Sequence, residues 1–382
     1  MSISLIQEYL AQEGLDGWLL YDFHHCNDLM WEVLKIPLAS HMTRRVFVWI
    51  PQNGEVVKIC HAIEGHVLSF LEGVVILYKT REELRESLKQ VVKGKIAMEV
   101  SGEIPAISKV DAGTFGIVQR LGVEVVSSGR LLQKFTSVLS DDQIAAHLEA
   151  AKVVSDGVEE AFSWIQKSLL QGRVLYEKDV QTFILKYFSS HGCVTNYPPI
   201  VARGANSANP HYTPQGQGDC IRKGDYILID LWCKKKGSNG VYADITRVAI
   251  IGGNPSEKML NAFDAVRQGQ RLAVEMIEMS EEVRGCDVDT LVRDFLIERG
   301  YSENILHRLG HNITGELHGH GANFDSFETM DERALIDQTC YSIEPALYFP
   351  NEFGLRLEHD ILYDKGEVRI TGGVQEKLRV ID

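Results

Sequence analysis

The chain has 382 residues, 45% apolar and 24% charged, a globular composition with more length than one core usually organises. Its formal net charge of -14, from 53 acidic and 39 basic side chains, opposes nucleic acid and anionic membranes, and no long basic patch offsets it. No apolar run reaches the roughly 18 residues of a membrane span. The first residues lack the basic region and small-residue cleavage site of a secretory signal. Seven cysteines, an odd number without a CxxC spacing, fit a reducing cytoplasm with mostly buried thiols.

In chain order, residues 17–23, 44–50, 55–63, 73–78, 95–100 and 123–128 read as strands, and 4–14, 81–93 and 112–121 as helices. That alternation predicts a small α/β domain on a mixed sheet, with Leu5, Tyr9 and Leu10 forming the apolar side of the first helix. It has no glycine-rich nucleotide loop, and His24, His25, Cys26 and Asp28 read equally well as a cleft edge or as plain loop. A boundary follows, dividing 1–135 from 136–382. Ser140 and Gln143 form a capping box ahead of a long helical pattern that ends near Gly172. A helix at 177–190 and a helix pair at 256–280 and 287–299 come next. Each helix pair precedes a hairpin, so the second domain is predicted as α+β, helices packed on curved antiparallel strands.

Each hairpin carries two acids. Asp230 and Asp244 are 14 residues apart across KKGSNG, and Glu344 and Glu358 are 14 apart across NEFG. Pairing symmetric about Gly237 and Asn351 sets each acid opposite its partner on one face, with Cβ atoms roughly 5 Å apart. Carboxylates facing an apolar interior need a partner, and a cation supplies one. One such pair is common in any hairpin. Two equal pairs, with His311 between them in sequence, form an oxygen-rich set suited to two divalent cations rather than to a structural zinc. This spacing predicts a metal-dependent hydrolase. Cys233 and Cys340 lie close in sequence to these acids but read as packing residues.

The segments around these residues resemble the Xaa-Pro peptidases, the prolidase and aminopeptidase P branch of the pita-bread metallopeptidases. They are VARGANSANPHY (201–212), LID (228–230), YADITR (242–247), HRLGHNITGELH (307–318), SIEPALY (342–348) and FGLRLEHD (353–360). The resemblance covers nearly the whole chain and implies a pita-bread catalytic domain behind a smaller creatinase-like α/β domain. It implies that Asp230 binds one cation, that His311 and Glu344 bind the other, and that Asp244 and Glu358 bridge the two. Glu344 would also be the general base and proton shuttle. His211 and His318 would be catalytic and substrate-facing, His307 would stand near a proline pocket, and Tyr348 and Arg356 would border the substrate. The implied cofactor is a pair of divalent ions, manganese first, with cobalt or zinc as alternatives. Short proline-containing peptides are the implied ligands and a homodimer the implied assembly.

Three departures stand out. His318 is followed by Gly319 where the family has glutamate, Ala346 replaces the glycine of EPG, and the first acid pair spans a longer turn. The expected reaction is cleavage between an N-terminal residue and proline by hydroxide activated at a dinuclear metal site. An aminopeptidase is the leading form because no sequence feature marks a clamp for a terminal carboxylate. An Xaa-Pro dipeptidase is the alternative. A catalytically inactive peptide-binding module, a creatinase-type nonmetal amidinohydrolase and an enzyme for an unusual substrate are readings of other classes.

Overall fold

A computed structural model of the chain describes residues 3–36 and 41–381. Contacts divide it into two units, Met1–Thr136 and Ser137–Asp382.

The first unit carries strands β1 (Gly17–Asp22), β2 (Val46–Pro51), β3 (Val57–His61), β4 (Val74–Tyr78), β5 (Lys95–Met98) and β6 (Glu124–Ser127) in one six-stranded sheet, ordered β4-β3-β2-β1-β5-β6. The sheet is mixed: β1–β2 and β2–β3 are antiparallel, and β3–β4, β1–β5 and β5–β6 are parallel. Strand alternation sends Trp18, Leu20, Val48 and Ile50 into one apolar cluster and Leu19, Tyr21, Phe47 and Trp49 into another. Helices α1 (Ile3–Gln12), α2 (Asp28–Leu34) and α5 (Gly129–Thr136) pack on the first cluster, and α3 (Arg81–Val91) and α4 (Ala112–Gln119) on the second. In α1 the buried stripe is Ile6 and Leu10, whereas Leu5, expected inside, is 40% exposed. Helix α2 lacks an amphipathic period because Leu29, Met30, Trp31, Val33 and Leu34 are all buried, so it did not stand out in the sequence. Asn27 caps it, accepting from the Met30 N–H at 3.4 Å.

The second unit opens with α6 (Asp141–Leu170), begun by the Ser140–Gln143 capping box. There follow β7 (Leu175–Tyr176), α7 (Glu177–Ser190), β8 (Cys193–Val194), β9 (Ile200–Arg203) and β10 (Cys220–Ile221), with β7 and β10 forming a separate pair. The first long hairpin is β11 (Tyr226–Lys235) and β12 (Tyr242–Ile251), flanked by β8, β9 and the C-terminal β19 (Arg379–Ile381). Helices α8 (Glu257–Met279) and α9 (Gly285–Glu298) lead to β13 (Asn312–Ile313), β14 (Thr339–Ile343), β15 (Ala346–Phe349), β16 (Phe353–Arg356), β17 (His359–Asp364) and β18 (Glu367–Thr371). Among the described residues no helix is long and apolar enough to cross a membrane.

Alternation along β11 and β12 positions the site. Ile227, Ile229, Leu231, Ala243 and Ile245 face α6 and α7, while Tyr226, Leu228, Val248 and Ile250 join the core built with α8, α9 and the second hairpin. Asp230 and Asp244 share the parity of the second set. They therefore point toward the other hairpin rather than toward the helices behind.

Candidate metal centre

The first hairpin corrects the expected pairing. Asp230 is opposite Thr246, and Asp244 is opposite Trp232, so the two aspartates are diagonal neighbours on one face. The loop centres on Ser238 rather than Gly237. Gly237 takes φ 135°, and Gly240 packs so closely that a Cβ would lie 2.1 Å from the Lys235 carbonyl oxygen. The resulting two-residue slip preserves the face, where a one-residue slip would have turned an acid away.

In the second hairpin, Ile343 pairs with His359 and Ala346 with Arg356, so one register runs through both ladders and continues Glu344 opposite Glu358. The ladder is broken there. The Glu344 N–H donates to the Leu309 carbonyl at 2.8 Å, the Glu358 N–H to the Thr246 carbonyl at 3.3 Å, and Pro345 has no N–H to give. Those two bonds fasten the acids to the His311 segment and to the first hairpin. Asn351 turns the chain with φ 63°.

Asp244, His311 and Glu358, all buried, each offer a ligand atom within 4.8 Å of the others. His311 Nε2 is 3.4 Å from Glu344 Oε1. His311 Nδ1 lies 3.3 Å from the Asn312 carbonyl, which fixes that N–H and leaves the Nε2 lone pair open to a cation. Among the described residues, buried Asp230 Oδ1 and Asp244 Oδ1 have no hydrogen-bond partner, which leaves both oxygens open to a cation. Burial is the first cause raising proton affinity at Asp230, Asp244 and Glu358, and at Glu344, whose pKa is pushed up to about 7. Burial also holds His311 well below its ordinary value and therefore neutral. Clustered oxygens with one neutral imidazole fit divalent cations and would be costly without them.

Three more of the expected residues form one chain. Arg356 Nη2 donates to Asp230 Oδ2, Nε to Thr246 Oγ1 at 3.1 Å and Nη1 to the Tyr348 hydroxyl at 2.8 Å. Tyr348 donates in turn to His307 Nε2 at 2.8 Å, and His307 Nδ1 donates to the Arg308 carbonyl at 2.7 Å. This order requires a neutral His307, and burial followed by the charge of Arg356 lowers its pKa to about 3. His318 stacks edge-on against His311, with ring centroids 4.3 Å apart. Its pKa falls to about 4 through desolvation and the charges of Arg308 and His211. His211 is exposed, on a loop held by buried Glu177, which accepts from Arg203 N–H, Asn206 Nδ2, the Tyr212 hydroxyl and Asp219 N–H at 2.6–2.9 Å.

Sequence reasoning passed over three residues. Thr246 donates to Glu358 Oε2 at 2.7 Å while accepting from Arg356. Its signal was strand period two, which puts it on the face of Asp244. Asp360 Oδ2 accepts the Asp244 N–H at 2.8 Å. Arg308, whose charge acts on His307, His311, His318 and Glu344, has among the described residues one ion pair, with Asp325 at 4.0 Å.

Residues 145–365 match the model of metallopeptidase family M24. The chain belongs to that family. A putative dipeptidase of Bacillus subtilis (strain 168) is 29% identical over 252 residues, covering 65% of this chain and 64% of that protein. An Xaa-Pro dipeptidase of Lactobacillus delbrueckii subsp. lactis is 30% identical over 164 residues, covering 43% and 41%. The chain thus spans less than two thirds of the length of either relative. Dipeptidase PepE of Mycobacterium ulcerans has the same fold, with a TM-score of 0.72 at 21% identity over 99% of this chain and 96% of that one. An X-prolyl aminopeptidase of Caenorhabditis elegans, described as a cytosolic enzyme with a di-nuclear active site, matches with TM-score 0.63 and 19% identity over 95% and 59%. The M24 chain described here has the pita-bread fold and is similar to proteins described as Xaa-Pro dipeptidases.

Proposed function

We propose that this M24 chain hydrolyses the bond between an N-terminal residue and proline, with Asp230, Asp244, His311, Glu344 and Glu358 holding two divalent ions. The observation that carries the reading is the convergence of buried Asp244, His311 and Glu358, beside two aspartate oxygens without partners. Bound there, the ions would polarise the scissile carbonyl and make water acidic.

The chain's own groups do the rest. Glu344 takes a proton from water at its carboxylate and returns it to the departing proline nitrogen. His318, neutral at working pH, donates an N–H to the oxyanion, and His211 orients the peptide. The Arg356–Tyr348–His307 chain fixes the wall toward the proline ring. Manganese is the proposed ion, with cobalt or zinc as substitutes, and a cytoplasmic homodimer acting on short proline-containing peptides completes the proposal.

One observation favours a dipeptidase over the aminopeptidase expected from sequence. Arg308 presents a guanidinium beside the site whose one ion pair among the described residues is a long 4.0 Å contact, which suits the carboxylate of a terminal proline. The Lactobacillus relative, an Xaa-Pro dipeptidase, points the same way.

Metal-loaded protein should therefore cleave Ala-Pro faster than Ala-Pro-Ala and leave Ala-Ala intact. Glu344→Ala should lose roughly 100-fold or more in kcat, with metal content measured in parallel. Equal cleavage of Ala-Pro and Ala-Ala refutes the proline assignment. Faster turnover of Ala-Pro-Ala restores the aminopeptidase reading.

A further inference from the structure

Strand β4 is the outer strand of the first unit's sheet, and its sequence VVILY contains no charge. Edge strands of soluble proteins normally carry lysine, proline or a bulge that prevents further pairing. The opposite edge, β6, follows that rule with Glu124, which pairs with Lys95. Strand β4 instead leaves Val74 45%, Val75 46% and Leu77 53% exposed.

The exposed side chains continue beyond the strand. Gly65 lies against Leu77, with its Cβ position 3.0 Å from Leu77 Cδ2, and this puts the turn bearing Ile63 beside Leu77. Lys58, the pairing partner of Val75, donates from Nζ to the Leu68 and Leu71 carbonyls and draws the Phe70 segment over the same face. Ile63 is 63% exposed and Phe70 71%. Together these five side chains leave on the order of 500 Å² of apolar surface in water, so two copies would supply about the 1,000 Å² a specific interface needs.

Backbone polarity selects the occupant. The Val74 N–H donates to the Val56 carbonyl at 2.9 Å in the parallel ladder with β3. Alternation then turns the N–H and C=O of Val74, Ile76 and Tyr78 toward β3 and those of Val75 and Leu77 outward. An antiparallel copy centred on Ile76 sets Val75 against Leu77 of the copy and Leu77 against Val75 of the copy. All four outward groups on each strand are then bonded, and apolar side chains meet on both faces. The same segment meets itself across a twofold axis, as an isologous contact requires. Two chains that each carry -14 repel less along a strand that itself carries no acid.

We infer that a second copy of this chain pairs through β4, joining two six-stranded sheets into one of twelve. The inference shares with the proposed function only its expectation of a homodimer, and it names the surface.

Sedimentation equilibrium of the full chain, loaded with manganese, should show a monomer–dimer equilibrium between about 1 and 100 µM. Val75→Pro removes only an outward N–H, and Leu77→Glu puts charge in the apolar pair; each should weaken association about tenfold or more while leaving peptidase activity per chain unchanged. In the paired strands Ile76 faces its own copy at a non-hydrogen-bonded position, so Ile76→Cys should cross-link with oxidised glutathione where wild type and Val74→Cys do not. A monomer throughout that range, without cross-linking at position 76, overturns both the dimer and the strand assignment. A dimer that survives both substitutions, or an open-ended polymer, overturns β4 alone.

Discussion

Removing the divalent ions should make the second unit lose stability as pH rises. Burial is the largest influence raising the proton affinities of Asp230, Asp244, Glu344 and Glu358. A carboxyl that holds its proton more tightly when folded stabilises the fold below its unfolded pKa, and that contribution is lost as pH rises through the folded pKa. For Glu344 the window runs from 4.5 to about 7, and Asp244 and Glu358 are shifted in the same direction. The slope is about 1.4 kcal/mol per pH unit for each proton that only the folded chain keeps. Between about pH 6.5 and 8, Glu344 alone contributes about 1 kcal/mol, and Asp244 and Glu358 add to it with the same sign. Histidines act in the opposite sense. His307, His311 and His318 bind protons less tightly when folded, so their contribution grows as pH rises through the unfolded value of 6.5, and it cancels between loaded and stripped protein because the folded rings are neutral in both. Cations among the acids keep them ionised and abolish the carboxyl slope. Loaded and chelator-treated protein should therefore be melted by calorimetry at about pH 6.5 and about pH 8, where each kcal/mol is worth about 2–4 °C for a unit of this size. The loaded-minus-stripped difference should widen by several degrees. A constant or narrowing difference would refute the account of buried, mutually crowded acids.

Thr246→Val keeps the side-chain shape but removes the donor to Glu358 and the acceptor for Arg356. Metal affinity, read by competition with a chromogenic chelator, should fall about 10- to 100-fold; an unchanged affinity dismisses Thr246 as the support of Glu358. Tyr348→Phe interrupts the path from Arg356 to His307. It should cost about tenfold in kcat/KM on Ala-Pro with metal content intact, and metal loss instead would make Tyr348 a support of the ligands. Gly319→Ala places a Cβ 2.3 Å from Asn312 Oδ1, the oxygen that accepts the Gly321 N–H at 3.0 Å. A loss of about 1–3 kcal/mol should appear in urea unfolding, and a wild-type midpoint would show that the loop gives way freely.

The same close approach explains why Gly319 departs from the family's glutamate. Asn312 also donates from Nδ2 to the Cys340 carbonyl at 3.0 Å, so it pins the loop after His318 from below and leaves no room for a side chain at 319. A local motif comparison registers the missing acid without showing the asparagine seven residues earlier that occupies its space. What was legible in the sequence was whatever period and chain order encode. The strand and helix runs, the capping box at Ser140 and the common face of Asp230 and Asp244 all follow from spacings of two and 3.6 residues. What was not legible depends on contacts between segments distant in sequence. Thr246 supports Glu358 across 112 residues and Asp360 receives the Asp244 N–H across 116. The register of the first hairpin was hidden for a different reason, because the conformations of Gly237 and Gly240 decide where a glycine-rich turn centres. That error was harmless for a physical reason. A slip of two residues preserves the face of every side chain, so the acids still meet the second hairpin, and the vacated cross-strand position is filled by a hydroxyl that bridges Glu358 and Arg356.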